Sequence, residues 1–116
     1  MAHAFTQQIN DSLFQEIVER VVGIAHPSKI VLFGSRARGD ARPDSDIDLL
    51  IIAPSTEPGC QRSIPLYKAL SDIHVPIDIL VYNPDEVVWW SNMRQALVTT
   101  ALREGKVLYD GSGYAR

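Results

Sequence analysis

The sequence predicts one small α/β domain: a mixed sheet of three to four short strands flanked by helices. Three observations predict it. Apolar residues from Ile9 to Ala25 recur at spacings of three and four. Short runs at 29–33, 46–53 and 77–82 are rich in Ile, Val and Leu and are bounded by turn residues. A second helical stripe occupies the last third of the chain. With 116 residues, 46% hydrophobic and 22% charged, the chain has the apolar content of a packed core and the length of a single domain, assigned to residues 1–109 with 110–116 as a frayed tail.

Each element has its own local reason. Ile9, Leu13, Phe14, Ile17, Val18, Val21, Val22 and Ala25 form one helical stripe. That helix must end before Pro27, because proline disfavours helical geometry in the residue preceding it. Lys29 to Phe33 is a β-branched, apolar strand closed by Gly34-Ser35. Residues 36–45 are charged and end near Pro43, which suits a loop or a single helical turn. Asp46 to Ala53 begins with polar and apolar residues alternating and finishes apolar throughout, the pattern of a strand with an open start and a buried end.

Pro54, Pro58 and Gly59 make 54–63 a surface loop. Leu66, Leu70 and Ile73 mark a brief helix with Ser63 as its cap and Pro65 in its first turn. Ile77 to Tyr82 is a third strand with Asp78 in its midst. Asn83-Pro84 starts a helical stripe through Val87, Trp90, Met93, Arg94, Leu97, Ala101 and Leu102 up to Gly105, with room for a break inside it. Val107 to Tyr109 is a short last strand.

Composition removes several function classes. Eleven Lys and Arg against 14 Asp and Glu give a net charge of −3, which repels a long polyanion, so a large nucleic-acid substrate is not expected. The longest apolar run, Leu49 to Ala53, is far short of the ~18 residues of a membrane span. The N-terminal residues lack the pattern of a secretory signal, and the single cysteine, Cys60, cannot form an internal disulfide. The expected location is cytoplasmic.

The chemistry concentrates in residues 34–48. On a strand Asp46 and Asp48 point to one face, while Ile47 and Leu49 point to the other. Two like charges so close are costly unless a cation lies between them, and paired hard oxygen donors suit Mg²⁺ or Mn²⁺. Asp78 lies between Ile77 and Ile79, so alternation sets it opposite to both, and it joins the pair if its strand neighbours theirs. Upstream, a strand running into Gly34-Ser35 offers backbone N–H groups and a hydroxyl in the arrangement that binds phosphate oxygens, with Arg36, Arg38 and Arg42 adding positive charge. A phosphate cradle beside a carboxylate-held metal points to a nucleoside triphosphate and to in-line phosphoryl or nucleotidyl transfer.

Gly34-Ser35, ten intervening residues and Asp46-Ile47-Asp48, within the fuller GSRARG and SDIDLL, resemble the signature of the DNA polymerase beta-like nucleotidyltransferases, and in particular the minimal nucleotidyltransferases. The resemblance implies the palm-like nucleotidyltransferase fold over nearly the whole chain. It implies that Asp46 and Asp48 hold two Mg²⁺ ions, that Asp78 completes one metal site and helps activate the attacking hydroxyl, and that Gly34 and Ser35 grip the β- and γ-phosphates. Arg36, Arg38 and Ser45 are assigned to the same triphosphate. Members of this family pair as antitoxins with HEPN ribonuclease toxins. The resemblance therefore implies a Mg²⁺-dependent protein adenylyltransferase that moves AMP from ATP to a tyrosine of such a toxin. Two alternatives stand beside it: transfer to a small hydroxylated molecule such as an aminoglycoside, and an antitoxin that acts by contact alone.

Several features have plainer readings. A Gly-Ser turn or an Asp-x-Asp taken singly is usually structural; it is the spacing that unites them. Arg42 is assigned to pairing with nearby aspartates on the surface. His26 and His74 lack metal-ligand spacing, and Cys60 has no base near it in sequence. Val87 to Trp90 cannot all face one core, because adjacent helical positions differ by ~100°. One tryptophan is therefore expected at the surface, covering its own domain or meeting a partner.

Overall fold

The computed structural model describes residues 11–34, 37, 39, 46–90 and 97–111, without the side chains of residues 60, 90 and 97–99. The elements run α1 (Asp11–Ala25), β1 (Lys29–Phe33), β2 (Ile47–Ile52), a short 3₁₀ turn (Gly59–Gln61), α2 (Ile64–Ala69), β3 (Ile77–Tyr82), α3 (Pro84–Trp90), α4 (Leu97–Glu104) and β4 (Lys106–Asp110). The four strands form one mixed sheet in the order β3-β2-β1-β4. β1 is antiparallel to both β2 and β4, and β2 is parallel to β3.

Alternation along the strands divides the core into two layers. Ile30, Leu32, Ile47, Leu49, Ile51 and Ile79 pack on one face beneath Leu13, Ile17 and Val21 of α1 and Leu66 of α2. Val31, Leu50 and Ile52 face the other way and meet Ala101, with Phe33, Leu80, Tyr82, Val87 and Leu102 partly buried around them. The fully apolar second half of β2 is explained by this: it is covered on both sides.

The helix ends follow local chemistry. α1 carries Asp11 in its first turn, where a carboxylate suits the positive end of the helix dipole. It stops where His26 enters the left-handed region (φ 49°) ahead of Pro27. Arg20 then ties α1 to α2 by donating to Ala69 O at 2.9 Å and pairing with Asp72 and Glu16. Ser63 does occupy the cap position of α2, with Pro65 in the first turn, but its hydroxyl makes no capping hydrogen bond because its own backbone is already helical (φ −85°, ψ −11°).

At α3 the cap comes from Glu86, which reaches back to the residue ahead of the helix. Glu86 accepts the Asn83 N–H at 2.8 Å, while the Asn83 side-chain oxygen accepts the Ser55 N–H at 2.7 Å and fastens the 54–63 loop. The stripe expected from Asn83 to Gly105 is two helices, α3 and α4, with residues 91–96 outside the described residues. Gly105 closes α4 by donating to Ala101 O at 2.7 Å; a Cβ there would strike Val31 and the backbone of Leu32, so only glycine lets α4 turn directly into β4 beside β1. β4 reaches Asp110, paired with Lys29, and the Gly111 N–H donates to Ser28 O at 2.8 Å. Residues 112–116 lie outside the described residues. On α3, Val88 and Trp89 are 70% and 58% exposed, so a surface tryptophan is present. Among the described residues no helix is long and apolar enough to cross a membrane.

Candidate active site

β2 positions the first two carboxylates. Ile47 and Leu49 are fully buried, which turns Asp46 and Asp48 to the opposite face. Asp46 is exposed just ahead of the strand; Asp48 is half-buried on it, between Phe33 of β1 and Asp78 of β3, its register partners on either side. Parallel in-register partners share a face, so Asp78 stands beside Asp48, two residues before Leu80 of the second core layer. The three aspartates thus occupy the open end of the face that α3 and α4 cover farther along.

Sequence periodicity placed Asp46 and Asp48 together. The placement of Asp78 needed β3 to be the neighbour of β2, and that is the topology found.

Gly34 ends β1 at the same edge. Because β1 and β2 are antiparallel and Phe33 pairs with Asp48, the turn after β1 falls beside the start of β2. Gly34 has φ +76°, a conformation costly for residues with a side chain, and a Cβ built on it would run into the Asp48 carboxylate. Both the backbone angle and the close approach therefore require glycine. Immediately beyond, the Ala37 N–H donates to Gly34 O at 3.1 Å, so the chain turns at once.

Ser35, Arg36, Arg38 and Ser45, the expected triphosphate contacts apart from Gly34, lie outside the described residues, as do Asp40, Arg42 and Asp44. Among the described residues no three His, Cys, Asp or Glu side chains converge closely enough to hold a metal ion, His26 and His74 included. The three aspartates share a face and an edge without meeting at one point. A cleft of about 730 Å³, lined by Pro54, Ser55, Thr56, Asn83, Pro84 and Asp85, lies at the other end of β2 and β3.

Two residues that the sequence did not single out support β3 from outside. The Ile79 N–H donates to Tyr67 Oη at 2.8 Å. Arg62 donates to Val81 O at 3.4 Å and to Glu86 at 2.6 Å, and also to Glu57 O at 3.0 Å. Arg62 and the Asn83 N–H hold the Glu86 carboxyl below its ordinary range. The Asn-x-x-Glu pattern at 83–86 was a readable capping signal, but Arg62 and Glu86 are 24 positions apart and nothing local links them.

The model of the nucleotidyltransferase domain matches residues 12–107. No curated protein matches the chain. Among solved structures, a Sulfolobus solfataricus protein assigned to the nucleotidyltransferases is 24% identical with a TM-score of 0.59, over 90% of this chain and 84% of that one. The MntA–HpeT toxin–antitoxin, in a tyrosine-to-alanine variant, is 23% identical with a TM-score of 0.58, over 89% and 74%. A toxin–antitoxin structure with AMP-PNP is 23% identical with a TM-score of 0.55, over 84% and 73%. These three likenesses are likenesses of fold.

Proposed function

The chain belongs to the nucleotidyltransferase domain family, and from that membership we propose that it moves AMP from ATP onto a tyrosine of a HEPN ribonuclease toxin and so acts as its antitoxin. The observation that carries the reading is the carboxylate edge: Asp46 and Asp48 on one face of β2, Asp78 in register beside Asp48, and Gly34 against Asp48 at the turn of β1. The fold likeness to two toxin–antitoxin structures, one with AMP-PNP, supports the choice of partner and nucleotide.

The donor set fits a hard divalent cation, because it is made of carboxylate oxygens and two of its members, Asp46 and Asp78, are exposed and can turn towards Asp48 without repacking the core. Asp46, Asp48 and Asp78 would hold Mg²⁺, two ions in all, with Mn²⁺ as a substitute. When bound, the metal neutralises charge on the α-phosphate and on the departing pyrophosphate.

The protein's own part is positioning. Backbone N–H groups at Gly34 and the Ser35 hydroxyl cradle the β- and γ-phosphates, and Arg36, Arg38 and Ser45 complete that contact. The α-phosphorus is left facing the carboxylate edge. The tyrosine oxygen bonds to it, its bond to the bridging oxygen breaks, and pyrophosphate leaves with that electron pair. The phenolic proton passes to a carboxylate oxygen of Asp78 and on to water. Val88 and Trp89 offer the acceptor exposed apolar area.

The test combines binding and transfer. Calorimetry with a non-hydrolysable ATP analogue should show binding with Mg²⁺, none with EDTA, and none in Asp46→Asn/Asp48→Asn under either condition. A co-expressed HEPN partner should gain whole AMP units in mass with the native chain and none with the variant. A variant that still neutralises the toxin would overturn the enzymatic reading in favour of contact alone, and ATP consumed on a small hydroxylated acceptor without any partner would move the reading to that substrate class.

A further inference from the structure

We propose that Tyr67 is a positioning residue for Asp78: its phenol pins the outer edge of β3 at the residue after the carboxylate and so holds Asp78 level with Asp48. The inference rests on the reading of Asp78 as a metal ligand. β3 is an edge strand with β2 on one side only. Pro76 O accepts the Ile47 N–H at 2.9 Å and Tyr82 O accepts the Ala53 N–H at 3.0 Å, so residues 76, 78, 80 and 82 direct their backbone groups inward. Strand alternation then sends those of Ile77, Ile79 and Val81 outward, where an edge left to water exchanges its pairing and frays from its ends.

Asp78 is the second residue of β3 and so lies where fraying begins. Of the two outward N–H groups that flank it, those of Ile77 and Ile79, Tyr67 takes the second. Farther along, Arg62 reaches Val81 O, so α2 and the turn before it act as a substitute for the missing fifth strand.

The geometry of α2 makes this possible. Leu66 anchors the helix in the first core layer, and the Tyr67 N–H is fixed to Ser63 O at 2.9 Å, so the neighbouring ring leaves the core and wraps the sheet edge. Tyr67 is 42% exposed, and removal of its hydroxyl takes nothing from the buried core. Mg²⁺ demands near-ideal octahedral geometry, so a carboxylate that drifts with a loosened strand end should lose metal affinity before the fold loses stability.

Tyr67→Phe keeps the ring and removes the acceptor. Three readouts are expected: a thermal midpoint lowered by no more than about 5 °C, faster hydrogen exchange at the Ile79 amide by NMR, and a rise of roughly fivefold in the Mg²⁺ concentration needed for half-maximal binding of a non-hydrolysable ATP analogue, the scale of one lost hydrogen bond. On an Asp78→Asn background the same change should alter the Mg²⁺ requirement no further.

Unchanged exchange at Ile79, or an unchanged Mg²⁺ requirement in Tyr67→Phe alone, overturns the inference. So does a loss that persists in full on the Asp78→Asn background, which would mark Tyr67 as generally structural. If Asp78→Asn by itself leaves the Mg²⁺ requirement untouched, the reading of Asp78 falls first and takes the inference with it; that single variant tells the two failures apart.

Discussion

Gly34→Ala tests the meeting of β1 and β2 directly. With φ +76° the new side chain would sit in the left-handed region, at a cost of about 1–2 kcal/mol. Its Cβ would also collide with the Asp48 carboxylate, and overpacking of this kind costs about 1–3 kcal/mol. The sum, about 2–5 kcal/mol, corresponds to a fall in thermal midpoint of roughly 8–20 °C for a domain of this size. The two contributions separate in a double-mutant cycle by urea denaturation. The built Cβ lies 3.5 Å from Asp48 Cβ, an ordinary contact, so on an Asp48→Ala background only the backbone strain should remain. A coupling of about 1 kcal/mol or more between the two sites is expected. If Gly34→Ala costs the same in both backgrounds, the close approach of the turn to Asp48 is wrong, and with it the placement of the phosphate turn beside the carboxylates.

Two further expectations concern stability. Ile17 is fully buried against the sheet, and Ile17→Ala should cost about 2–5 kcal/mol in urea denaturation, with the carboxylate edge unaltered. The pH dependence follows from two ion pairs. The Arg20 guanidinium beside Asp72 holds its carboxyl below the ordinary value of 3.8, and Arg62 with the Asn83 N–H holds Glu86 below 4.5. Folded values lower than unfolded ones mean that the stability is complete above the ordinary carboxylate values and is lost as pH falls from them through the lowered folded values. The urea midpoint should therefore be flat from neutral pH to about 5 and drop below that, and Asp72→Asn/Glu86→Gln should flatten the acid limb. An acid limb unchanged in that variant would mean that the two pairs contribute nothing to folding.

Much of the fold was legible in the chain because its signals are local. Strand alternation set Asp46 and Asp48 apart from Ile47 and Leu49, the bounds of β1 and β3 followed from apolar runs closed by turn residues, and Pro27 and Gly105 stopped their helices where expected. The Gly-Ser and Asp-x-Asp spacing was equally local, and it pointed to the family whose model the chain matches. Capping was less legible: Ser63 has the right identity and position for a cap, yet the turn before it had already adopted helical geometry.

What tertiary structure alone decided is pairing between segments distant in sequence. The parallel placement of β3 beside β2 set Asp78 next to Asp48. The antiparallel return of β2 brought Asp48 against Gly34, and α2 swung Tyr67 and Arg62 to the outer edge of β3. No single strand or helix contains both partners in any of these contacts. Their register is set by the burial of two apolar layers at once, and a slip of one residue in β2 or β3 would turn the aspartates into the core and the isoleucines out to water.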